Sequence, residues 1–135
     1  MLRLRLVSQR FTDPESDAGL KPPPGHSGPV PPGLAFAQWL RDEILARLQG
    51  VQLGEYPWVT YTGHGMELQT TASRFDLVLE LVDREAASWT MTLEPRRGLL
   101  PFGRKKRAAG FEHVSRRLTE ALSKAAEFES VEVVP

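Results

Sequence analysis

Residues 56–94 read YPWVTYTGHGMELQTTASRFDLVLELVDREAASWTMTLE, and this stretch decides the fold. Four strand-like runs stand in it. Tyr56–Thr62 is rich in aromatic and β-branched residues, which suit a pleated, half-buried surface. Gly63-His64-Gly65 reads as a tight connection to a second run, Met66–Thr70. In the third run Phe75, Leu77, Leu79 and Leu81 alternate with polar or smaller residues, and in the fourth Ala87, Trp89, Met91 and Leu93 do the same. A period of two marks a strand with one buried face. The connections are too short for a crossover, so neighbouring strands must run antiparallel, as a meander.

Working outward, Leu2, Leu4 and Leu6 alternate with Arg3, Arg5 and Val7, which predicts a further strand at an edge or with an open, charged face. From Leu34 to Gln49 the period becomes helical: Phe36, Leu40, Ile44 and Leu48 form a stripe with Ala37 and Leu45. Gly50 stands where a left-handed residue would end that helix. Phe111, Val114, Leu118, Leu122 and Ala125 predict a second amphipathic helix over about residues 109–128, and Val131–Val134 a short edge strand. The expected fold class is α+β: a four-strand antiparallel meander plus terminal edge strands, with two amphipathic helices packed on one face.

Residues 12–33 interrupt this order. They hold seven of the 11 prolines (Pro14, Pro22, Pro23, Pro24, Pro29, Pro31 and Pro32) together with Gly19, Gly25, Gly28 and Gly33. Proline lacks the backbone donor that helices and sheets require, so the segment reads as a Pro/Gly-rich linker inside one domain spanning 1–135.

Composition narrows the function classes. With 135 residues, 41% hydrophobic and 25% charged, the chain suits one domain with one core. No apolar run approaches the roughly twenty residues of a membrane span. Arg3 and Arg5 break what would have to be the apolar region of a secretory signal, so none is expected. Cysteine is absent, which removes thiolate chemistry and disulfides and suits a cytoplasmic location. Seventeen basic residues balance 17 acidic ones, but unevenly. Arg96–Arg107 holds six bases and no acid, leaving eleven bases against 17 acids elsewhere, a formal −6.

Catalytic signatures are missing. The chain lacks HExxH, GxSxG, SxxK, a P-loop and GxGxxG, and no cofactor is expected. His26 falls in the linker, His64 reads as a turn residue, and His113 lies early in the second helix. Asp76 and Glu80 share a strand face, a spacing that any solvent-facing strand produces. An enzyme would have to use His64 or His113 with such carboxylates. Of the three tryptophans, Trp39 and Trp89 read as core and Trp58 as a candidate for an exposed binding face.

The one unusual segment is EPRRGLLPFGRKKR, residues 94–107. Arg96, Arg97, Arg104, Lys105, Lys106 and Arg107 surround an apolar tip containing Leu99, Leu100 and Phe102. Four of the bases immediately precede the expected helix, whose positive end they disfavour by a few tenths of a kcal/mol each. That arrangement invites a phosphate, a partner's carboxylates or an anionic lipid head group, and the apolar tip favours a protein surface or a membrane interface over plain DNA phosphate contact. The order helix, antiparallel meander, helix resembles, in architecture alone and over residues 34–134, two groups of small bacterial proteins: toxin-neutralising immunity proteins and secretion chaperones. The resemblance carries no residue across. It implies a non-catalytic protein-binding module whose partner is a toxin or secreted effector. The other class is an anion-directed adaptor that binds nucleic acid or an anionic membrane through the basic segment.

Overall fold

The leucine–arginine alternation at the N-terminus forms strand β1, Leu2–Val7, with Leu4 and Leu6 fully buried and Arg3 and Arg5 exposed. The computed structural model describes residues 1–23, 26, 28–54, 58–60, 62–71, 73–96 and 104–135, and of 104–107 the backbone alone. The chain is α+β, built on a seven-stranded antiparallel sheet. After β1 come β2 (Gln52–Leu53), β3 (Trp58–Val59), β4 (Gly63–Gln69), β5 (Arg74–Asp83), β6 (Ser88–Pro95) and β7 (Ser130–Val134). The spatial order is β2-β4-β5-β6-β1-β7, with β3 also paired to β4.

The meander β3-β4-β5-β6 is present, with changes at its start. The expected run Tyr56–Thr62 contributes only Trp58 and Val59 as strand, while Gly63-His64-Gly65 belongs to β4 and is not a turn. β2 was not expected. β1 is not an edge strand: it lies between β6 and β7, with Leu4 opposite Met91 on one side and Val133 on the other. Its arginines are exposed because that sheet face is open. β7 takes the edge, as its pattern implied.

The first amphipathic segment begins as helix α2, after a four-residue helix α1 at Gln9–Thr12. α2 spans Leu34–Trp39, widens into a π-helical turn at Leu40–Ile44 and tightens into a 3₁₀ turn at Leu45–Arg47. The stripe survives these changes, because Phe36, Leu40, Ile44 and Leu45 are all buried. Gly50 is left-handed, with φ 80°, three residues beyond the last helical one. Helix α3 spans Arg104–Lys124. It starts earlier than its apolar stripe, so Arg104, Lys105, Lys106 and Arg107 form its first turn and do not precede it.

One core joins these elements. The inward residues of β1, β4, β5 and β6 meet Phe36, Leu40, Ile44 and Leu45 from the α2 segment and Val114, Leu118 and Leu122 from α3 in a single buried cluster. Aromatic rings fill its N-terminal end: Phe11 stacks on Phe36 at 4.5 Å between centroids, and Phe36 meets the edge of Trp89 at 5.1 Å. The Trp89 indole Nε1 donates to Thr12 Oγ1 at 2.9 Å, and that hydroxyl donates to the Ser8 carbonyl at 2.6 Å. A buried indole N–H needs such a partner.

The 12–33 stretch is tied to the body at several points. Besides Thr12, Asp17 reaches forward to cap α2, its carboxylate accepting from Gly33 N at 3.0 Å and Ala35 N at 2.8 Å. Gly33, the N-cap residue, has no side chain to do this. Glycine is required there twice over: φ is 112°, and a Cβ would lie 2.8 Å from Trp89 Cζ3.

Candidate functional site

Every strand that sends a leucine into the core sends its next residue to the other face, so the alternation that builds the core also builds a surface. Registration sets two outer rows across the sheet. One runs Trp58, Gly65, Val78, Thr92, Arg3, Val134. The next runs Gly63, Glu80, Thr90, Arg5, Glu132. Arg3, Arg5, Glu80, Thr90, Thr92, Glu132, Val134 and the adjacent Thr62, Leu81, Val82 and Pro135 line a depression of about 840 Å³. Among the described residues no helical one contributes to its lining.

Trp58 closes one end of this face. Its indole lies over Gly65, where a Cβ would run into the ring, and the side chain remains 37% exposed. The glycine thus serves close approach and not a turn. Charges on the face are loosely paired: Arg5 Nη1 stands 3.9 Å from Glu132 Oε2, and Thr62 Oγ1 donates to Glu80 Oε2. Exposed pairs of this kind are worth at most about 1 kcal/mol and exchange partners readily.

Asp76 and Glu80 do share the outer face but are not brought to one site. Arg96 takes Asp76, its Nε lying 2.9 and 3.0 Å from the two carboxylate oxygens and its Nη2 2.9 Å from Oδ1. Its Nη1 also stands 3.5 Å from Glu67 Oε1. The hydrogen bonds and charge of Asp76 raise the affinity of Arg96 for its proton. Arg96 is thereby fixed to the sheet. Of the other residues of the basic segment, Arg97, Leu99, Leu100 and Phe102 lie outside the described residues. Arg104, Lys105, Lys106 and Arg107 hold the first turn of α3, which contains no acidic residue.

His64, read from sequence as a turn residue, is fully buried in β4. Its Nε2 lies 3.0 Å from the Pro31 carbonyl, and its Nδ1 is buried with no partner among the described residues. Burial pushes its pKa below the ordinary histidine value, against the opposing effects of the Pro31 carbonyl and Asp17. His26 Nε2 contacts the Pro29 carbonyl at 3.2 Å, and His113 is exposed on α3. Among the described residues no three His, Asp or Glu side chains converge to hold a metal ion. No helix among them is long and apolar enough to cross a membrane.

No protein-family model, curated protein or solved structure matches the chain. Sequence reasoning had found Trp58 as a candidate for an exposed face. It had not found Arg3, Arg5, Thr90, Thr92 and Glu132 as its neighbours, because their proximity depends on β1 lying between β6 and β7.

Proposed function

We propose that this is a non-catalytic protein-binding module, of the kind represented by immunity-type inhibitors and secretion chaperones, that takes its partner on the outer face of the sheet. One observation carries the reading. An exposed tryptophan and two arginines stand in register on one face of the sheet, the arginines lining a depression with threonines, valines and glutamates. Tryptophan and arginine are the residues on which binding energy concentrates in protein interfaces. Their backbones are already ordered in strands, so the entropy lost on association is that of the side chains alone. The mixture of both charge signs suits recognition of a protein surface better than of a uniformly charged polyanion.

The test uses the partner purified from the native cell and titrated calorimetrically. Trp58→Ser combined with Arg5→Glu is expected to weaken binding at least about 30-fold, the equivalent of a hot spot of 2 kcal/mol. The melting temperature should stay close to that of the wild type. Replacing Arg104, Lys105, Lys106 and Arg107 with Gln is expected to change affinity far less.

A second reading rests on the first turn of α3, with four bases and no acid. In it the protein is an adaptor for nucleic acid or an anionic membrane. If the Gln variant alone abolishes binding, and binding weakens steeply with salt, that reading replaces the first.

A further inference from the structure

The residues that cover His64 make an unusual lid for a buried titratable group. Pro31 and Gly33 lie against the His64 ring, and Gly33 is pressed against Trp89, where a Cβ would also lie 3.3 Å from that ring. The Pro31 carbonyl accepts a hydrogen bond from His64, so Nε2 carries the proton in the neutral ring and Nδ1 keeps a bare lone pair. Among the described residues no donor reaches Nδ1, which is buried. A neutral ring tolerates this, because an unused acceptor costs less than a buried charge.

We propose that His64 is a proton-operated latch, which holds residues 28–33 on the body when neutral and releases them when protonated. Protonation turns Nδ1 into a second donor with no acceptor, on a cation without solvent. Either the strand or the cover must yield to hydrate it. β4 is held along its whole length by β5, from Gly63 opposite Glu80 to Gln69 opposite Arg74, and by β2 and β3 on its other side. Residues 28–33 include Pro29, Pro31 and Pro32, which have no N–H to give; among the described residues Pro31 is tied down by His64, and Gly33 by Asp17, by the Ala37 amide of α2 and by its packing on Trp89. The cover is the weaker attachment and opens first.

The other charges around the ring adjust this response without reversing it. Asp17 favours the protonated ring and His26 opposes it. α2, which also packs against β4, has no titratable residue between Leu34 and Trp39. Trp89 and Val59 are neutral, and Glu67, Asp76 and Glu80 stand on the outer face of the sheet. The sign follows from linkage. Burial depresses the pKa of the covered ring below 6.5, so the open form binds the proton more tightly. The latch is fully closed above that value. The ratio of closed to open falls by up to about tenfold per pH unit below it, levelling off once the covered ring itself titrates.

Amide hydrogen exchange, corrected for the intrinsic effect of pH, tests the latch between pH 7.5 and 4.5. Protection of the Gly33 amide is expected to fall between pH 6.5 and 5.5, by at most about fivefold, while the Leu77 and Leu79 amides in β5 keep theirs. In His64→Gln, whose amide can still donate to Pro31 but cannot titrate, the response should vanish. In His26→Gln it should remain, which keeps the test decisive if the first variant does not fold. The latch is overturned by any of three results: flat protection in the wild type, the same pH response in His64→Gln, or loss of protection at Gly33 and in β5 together.

Discussion

On the inner face of the sheet Leu4, Leu6, Leu68, Phe75, Leu77, Leu79 and Trp89 have no exposed surface, and each touches others of its kind. One residue along on the same strands, Arg3, Arg5, Glu80, Thr90 and Thr92 are exposed or half-buried. The two faces share their backbone hydrogen bonds and strand order, so they differ in side-chain environment alone. Inner positions are fixed by close packing, where a lost methylene leaves a void. Outer positions are free to be chosen for a partner. The difference predicts that substitutions separate cleanly by parity along a single strand.

The strongest way to break this contrast is within β5. Leu79→Ala is expected to lower stability by about 2–5 kcal/mol in chemical denaturation, the range for truncating a buried leucine. The adjacent Glu80→Ala should stay within about 0.5 kcal/mol. Equal effects would mean that the outer face is also packed. A smaller effect is expected at Thr12→Val, which keeps the shape but leaves the Trp89 indole N–H buried without a partner. Its cost should be about 1–3 kcal/mol, with a changed near-ultraviolet circular dichroism band from the tryptophan. Smaller than either core loss is the effect of Gly65→Ala on the outer face. The new Cβ must displace the Trp58 indole, and a loss of about 1 kcal/mol is expected with a red-shifted tryptophan emission. An unshifted emission would show that Trp58 does not rest on Gly65.

The candidate face was only partly legible beforehand. Trp58 stood out because YPWVTY places aromatics on both faces of its run. Arg3 and Arg5 were legible as exposed and not as neighbours of Thr90 and Thr92, since nothing near them in the chain specifies which strand they join. His64 was misread for a physical reason. Glycine is common in turns and rare in strands, so Gly-His-Gly resembles a turn until Trp58 is seen lying over Gly65. Likewise the 12–33 stretch resembles a spacer by composition, yet Thr12, Asp17 and Pro31 each hold groups far along the chain through hydrogen bonds that composition does not reveal.

What the sequence alone determined were the properties carried by spacing: the period-two strands of the meander, the two amphipathic stripes, the antiparallel sense enforced by short connections, and the absence of cysteine chemistry. These are local, because side-chain direction repeats every two residues in a strand and about every 3.6 in a helix. Tertiary structure decided the insertion of β1 between β6 and β7, the burial of His64 beneath Pro31, the capping of α2 by Asp17 and the placing of Arg96 on Asp76. Each of these joins residues far apart in the chain. Their energies depend on which surfaces meet after the core has formed, and no local pattern encodes that meeting.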